Sequence, residues 1–153
     1  MTVPGETVSK TKQVVGISEL FVSRDPEEVI ITYSLGSCLG VTIYDPVARV
    51  GGLLHCLLPL SGINPKEAQK KPAMFVDTGI PLLFKSAYQL GAQKKRIIIK
   101  VAGCGEPLGV EKFFQIGKRN YTVCKKLLWK NDVLIENESV GGGISRTLWL
   151  DLA

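Results

Sequence analysis

Residues 29–58 read VIITYSLGSCLGVTIYDPVARVGGLLHCLL, and this stretch decides the fold. Three runs rich in β-branched and other apolar residues, at 29–33, 39–44 and 52–58, are separated by turn signals at Gly36 and at Asp45-Pro46. Short apolar runs bounded by glycine and Asp-Pro read as successive strands. Upstream, 14–19 reads as one more strand, followed by an Asp25-Pro26 turn.

Downstream the period changes. Ile80, Leu83, Phe84, Ala87 and Leu90 fall on one helical face, with Asp77 or Thr78 as N-cap and Gly91 as the stop. Ile116, Asn120, Val123, Cys124, Leu127 and Leu128 share the face of a second helix, closed by Asn131-Asp132. Further strands are expected over 96–101, 133–138 and 146–152, with glycine turns at 102–105 and 141–143. Strands first, then helices mixed with strands, predict an α+β or α/β sandwich with helices packed on a mostly antiparallel sheet.

With 153 residues and 45% hydrophobic content, the chain is long enough for one substantial core and short for two. A single domain over 13–153 is expected, preceded by a flexible N-terminal arm over 1–12, which is polar and without periodicity. The longest apolar stretch, 51–60, is interrupted by His55 and Pro59 and falls well short of the ~20 residues that span a bilayer. The first residues lack the apolar core of a secretory signal, so a cytoplasmic location is expected.

Cys38, Cys56, Cys104 and Cys124 read as free thiols, because a chain of this size does not need disulfide staples. No two of them form a C-x-x-C spacing and the only histidine, His55, adjoins Cys56, so no metal is expected. The net charge of +5 gathers at Lys70-Lys71, Lys94-Lys95-Arg96 and Lys125-Lys126. These clusters lack interleaved aromatics and any nucleic-acid reader motif, and they read as solvated surface suited to an acidic protein partner.

The chemistry-bearing residues lie within the opening stretch. Cys38 ends a strand-to-glycine turn in which backbone amides around Gly36 and Ser37 are placed to serve an oxyanion. His55 follows on a strand whose Gly51 and Gly52 permit close approach of another backbone, and a hairpin through Asp45-Pro46 sets Cys38 and His55 side by side. A neutral imidazole in reach of a thiol takes its proton, and a third group must orient the ring; Thr32 is the candidate. Each residue also has a plainer explanation. Free cysteine is among the most buried residue types, a single histidine between Leu54 and Cys56 suits a core, and Thr32 suits a strand. Spacing alone leaves both readings open.

A wider pattern favours catalysis. Leu35-Gly36-Ser37-Cys38, Gly51-Gly52-Leu53-Leu54-His55 with Leu58-Pro59, Val76-Asp77-Thr78, Gly91-Ala92, Lys100-Val101-Ala102-Gly103, Ile116-Gly117-Lys118-Arg119-Asn120 and Gly141-Gly142 with Arg146 resemble, in order and spacing, the chemoreceptor glutamine deamidase (CheD) family over residues 14–150. The resemblance implies a catalytic triad of Cys38, His55 and Thr32 that works without a cofactor. It implies methyl-accepting chemotaxis receptors as protein substrates, a CheC-type phosphatase as a further partner, and a fold similar to the catalytic domains of bacterial deamidating toxins. The loop Gly103-Cys104-Gly105-Glu106-Pro107 departs from the Gly-Gly-Ala run usual in that family. Two rival classes remain: a cysteine peptidase or transglutaminase using the same triad, and a non-catalytic binding module that regulates the phosphatase.

Overall fold

The computed structural model describes residues 9–107 and 114–153. The described chain runs β1 (Thr11–Val14), β2 (Glu19–Ser23), β3 (Glu28–Leu35), β4 (Leu39–Asp45), β5 (Val50–Cys56), α1 (Pro65–Lys70), α2 (Val76–Gln89), β6 (Ile98–Gly103), α3 (Ile116–Lys130), β7 (Ile135–Val140) and β8 (Arg146–Asp151). Two sheets form. One has the order β1-β3-β8 and the other β2-β5-β4-β6-β7. All neighbours are antiparallel except β1 beside β3 and β6 beside β7.

The five-stranded sheet lies between two layers, and its central strands are therefore apolar on both faces. Leu39, Val41, Ile43, Leu54 and Cys56 pack with Ile80 and Leu83 of α2 and with Cys124 and Leu128 of α3. On the opposite face Leu53 packs with Ile30 of β3 and with Leu152, just beyond β8. Glycines let the two sheets approach. A Cβ on Gly51 would stand 2.3 Å from the Leu152 side chain, and one on Gly40 would stand 2.7 Å from Leu35 and 2.9 Å from Leu148. The expected α+β sandwich with a mostly antiparallel sheet is the architecture observed.

Element boundaries agree with the sequence reading to within a few residues, with three exceptions, the first being the short helix α1 within the stretch 60–72 expected as a loop. The strand expected over 14–19 is two strands in different sheets, because Ser18 adopts a left-handed φ of 64° and turns the chain between them. Of the arm expected over 1–12, residues 1–8 lie outside the described residues, while Thr11 and Lys12 belong to β1 and pair in register with Glu28 and Val29.

Arg96 also departs from its expected solvated role. Its guanidinium pairs at 2.9 Å with Asp45, whose side chain is fully buried. Burial opposes the charge on Asp45, but Arg96 and the amides of Gln93, Ala48 and Val47 outweigh it and hold the carboxyl pKa at about 2. This cluster ties the β4–β5 turn to the entry of β6. None of the described helices is long and apolar enough to cross a membrane.

Candidate active site

Thr32 and His55 meet between the two sheets. Thr32 lies on β3, fully buried, just before a register irregularity that separates it from Leu35 in the pairing with β8. His55 lies on β5 and is 1% exposed. The Thr32 hydroxyl donates its one proton to the Val15 carbonyl at 2.6 Å, and its oxygen lies 2.7 Å from His55 Nδ1. With that proton committed, the hydroxyl can only accept from the ring, so Nδ1 carries the hydrogen. Nε2 is left as the basic nitrogen. It is buried and has no hydrogen-bond partner among the described residues. Burial lowers the His55 pKa, which favours the neutral imidazole.

Cys38 reaches the same face through the sheet register. Gly40 stands opposite His55 in the β4–β5 pairing. Cys38 lies in the bend just before β4 and packs with Ala102, which stands opposite Gly40 in the β4–β6 pairing, so the thiol is on the face of the sheet that carries His55. The packing agrees: Cys38 is 7% exposed and clusters with Leu35 and Ala102, against half-buried Leu57 and Leu148. The Leu35 and Leu148 side chains also crowd the position a Gly40 Cβ would take.

The turn before Cys38 is held by its carbonyls. Gly36 O accepts from the Gly105 amide at 2.8 Å, Ser37 O accepts from Asn120 Nδ2 at 3.0 Å, and Cys38 O accepts from the Cys104 amide at 2.8 Å. In a trans peptide the N–H points opposite to the preceding C=O, and no cis bond occurs among the described residues. Pinning Gly36 O and Ser37 O therefore directs the Ser37 and Cys38 N–H groups to the other side of the turn. Those are the amides the sequence singled out around Gly36 and Ser37.

The loop that departs from the resembled pattern supplies two of these pins. Gly103 has φ 95° and Cys104 φ 52°, so the backbone turns sharply and presents successive amides to the Cys38 turn. The other three thiols are core groups: burial, aided by neighbouring negative charge, pushes Cys56 and Cys104 far above the usual thiol range and Cys124 to about 12. None of the four cysteines is in a disulfide, and all four are buried. Among the described residues no group of three or more His, Cys, Asp or Glu side chains is placed to hold a metal ion.

In the sequence Asn120 appears on the face of the second helix and in the resembled run Ile116–Asn120, with no role assigned to it. It is fully buried, and its Nδ2 donates to Leu57 O at 3.2 Å as well as to Ser37 O. A polar amide among Gly117, Cys124 and Leu128 on a buried helix face was the available signal.

Known proteins resemble this chain along most of its length. The family model described as CheD chemotactic sensory transduction matches residues 57–153. A Syntrophus aciditrophicus protein named "Probable chemoreceptor glutamine deamidase CheD 1" is 49% identical over 139 residues, covering 91% of this chain and 87% of that one. Similarly named proteins of Solibacter usitatus and Pyrococcus abyssi are 45% and 41% identical, each covering 91% of this chain and 82% and 85% of theirs. A span of 139 residues takes in Thr32, Cys38 and His55 wherever it begins in a chain of 153. Among solved structures, the Neisseria meningitidis protein NMB0706 of family DUF152 shares the fold, with TM-score 0.51 at 9% identity over 90% of this chain and 64% of that one.

Proposed function

The chain belongs to the CheD family, and on that premise we propose that it is a protein-glutamine deamidase that converts glutamine side chains of chemotaxis receptors to glutamate. The observation that carries this reading is the Thr32–His55 hydrogen bond, which leaves Nε2 as a proton acceptor on the face that Cys38 shares. Nε2 takes the thiol proton, and the Cys38 sulfur attacks the glutamine carboxamide carbon. The developing oxyanion is met by the amides of Ser37 and Cys38. The Nε2 proton then passes to the departing nitrogen, which leaves as ammonia, and a thioester remains. Water, losing a proton to Nε2, hydrolyses the thioester to glutamate and restores the thiol. Thr32 keeps the ring in the tautomer this cycle needs.

No cofactor enters these steps. Four buried cysteines without a disulfide suit a reducing, cytoplasmic setting. The test is ammonia release from a purified chemoreceptor: wild type is active and Cys38→Ala and His55→Ala are each inactive, whereas persistent release by Cys38→Ala removes the mechanism.

A second reading has one observation in its favour. Cys38 is only 7% exposed, as befits a core residue in a binding module that regulates a CheC-type phosphatase. Phosphatase activity stimulated equally by wild type and Cys38→Ala, with no ammonia release by either, would select it.

A further inference from the structure

We propose that Asn120 is a positioning residue for the reaction: it fixes the orientation of the Ser37–Cys38 peptide and so aims the Cys38 N–H at the oxyanion. The inference rests on the deamidase reading and adds to it a residue from a third element, α3.

Three consecutive carbonyls of the nucleophile turn are pinned. The outer two accept from backbone amides of Gly105 and Cys104. Only the middle one, Ser37 O, is held by a side chain, Asn120 Nδ2 at 3.0 Å. That carbonyl shares its rigid peptide plane with the Cys38 N–H, so the direction of one sets the direction of the other. Without Asn120 this peptide unit keeps its neighbours' anchors and loses its own.

The same NH2 group donates its second hydrogen to Leu57 O at 3.2 Å, two residues beyond His55. One amide thus joins the turn that carries the nucleophile to the strand that carries the base. The helix bearing it is pressed against the remaining anchors, since a Cβ on Gly117 would stand 2.3 Å from Gly105 O. All three anchors of the turn share one packed frame.

Asn120 also carries a cost that packing does not explain. Its Oδ1 is buried with no hydrogen-bond partner among the described residues. A leucine would remove that orphaned oxygen but would also take the donor from Ser37 O and Leu57 O, so the donor side of this amide is what the turn uses.

The experiment compares Asn120→Leu and Asn120→Gln with wild type by three readouts: kcat and KM on a purified chemoreceptor, the rate and pH profile of Cys38 alkylation by iodoacetamide, and thermal unfolding. Alkylation develops no oxyanion, whereas deamidation does. The proposal predicts that a folded Asn120→Leu loses about 10²-fold in kcat, as a misplaced reacting geometry does. KM and the alkylation profile stay near wild type. Asn120→Gln, which keeps the carboxamide but shifts it by one methylene, serves if the leucine variant does not fold, and is predicted to lose kcat in the same selective way. Wild-type kcat in either folded variant, or kcat and alkylation falling together, overturns the proposal. Ammonia release by Cys38→Ala would instead overturn the deamidase reading itself.

Discussion

Thr32 Oγ1 and His55 Nδ1 stand 2.7 Å apart across the interface of two sheets, and the direction of that hydrogen bond is set by a third group, the Val15 carbonyl at 2.6 Å. Thr32 is thus a structural joint as well as the orienting residue of the proposed mechanism. Thr32→Val removes the hydroxyl and orphans both Val15 O and His55 Nδ1 in a buried place. The expected loss is about 1–3 kcal/mol of stability for a buried group left unsatisfied. Turnover falls on the order of 10²-fold as the base loses its fixed tautomer. Thr32→Ser retains most of both. Chemical denaturation and ammonia release on the two variants check this; normal turnover in Thr32→Val reduces Thr32 to a strand residue.

The lowered pKa of His55, caused by burial, predicts a pH profile. Activity needs the neutral ring, so the acid limb of kcat/KM falls below the usual histidine value of 6.5 rather than on it. The stability consequence has the same origin. Between the folded and unfolded pKa values the unfolded chain binds more protons, so this group's contribution is intact above pH 6.5 and declines as the pH falls below it, levelling off once the pH is below the folded value. Rate profiles with urea midpoints at pH 7 and pH 5 test both; an acid limb at or above 6.5 contradicts the assignment of His55 as base.

Cysteine reactivity separates a nucleophile from core thiols. Burial pushes the Cys56, Cys104 and Cys124 thiols up, so at neutral pH they are protonated and shielded. Brief iodoacetamide treatment followed by peptide mapping is expected to label Cys38 first, and His55→Ala is expected to slow that labelling. Cys104, in the glycine-containing loop after β6, is 4% exposed and belongs with the unreactive set. Equal labelling of Cys38 and Cys56, or a Cys38 rate indifferent to His55, would make the thiol a core group.

Asp45 and Arg96 bear on folding alone. Removing Arg96 leaves a buried carboxylate with only backbone amides, and breaking a buried pair from one side costs about 3–5 kcal/mol. Arg96→Ala should therefore lower the denaturation midpoint sharply while leaving kcat of the folded fraction unchanged. With the Asp45 pKa held at about 2, the pair's contribution is present above the ordinary carboxylate value of 3.8 and is lost as the pH falls through 2. A midpoint unchanged in Arg96→Ala would show that the amides suffice.

Local pattern carried most of this molecule. The runs at 29–33 and 39–44, the apolar face led by Ile80 and Leu83, and the stretch Ile97-Ile98-Ile99 each announce an element through period and composition. What stayed hidden depends on pairing across long sequence distances. That β1 joins β3 in parallel and that the chain between Val14 and Glu19 changes sheets cannot be read from a run of β-branched residues. Arg96 looked like one more exposed cation because its partner stands 51 residues earlier in the chain. Cys38, His55 and Thr32 were singled out through the family resemblance, since the glycines and the lone histidine around them left a core reading open. The contacts of Asn120 were not legible, because its partners Ser37 and Leu57 lie 83 and 63 residues away.

The most direct test of the central claim is the intact mass of a purified chemoreceptor before and after incubation with this protein. Wild type is predicted to add about 1 Da at each modified glutamine, as replacement of a carboxamide by a carboxyl through a thioester requires. Tandem mass spectrometry should then place glutamate at those positions, and Cys38→Ala should leave the mass unchanged. The same gain produced by Cys38→Ala, or no gain with wild-type protein whose Cys38 alkylates rapidly, would contradict the account.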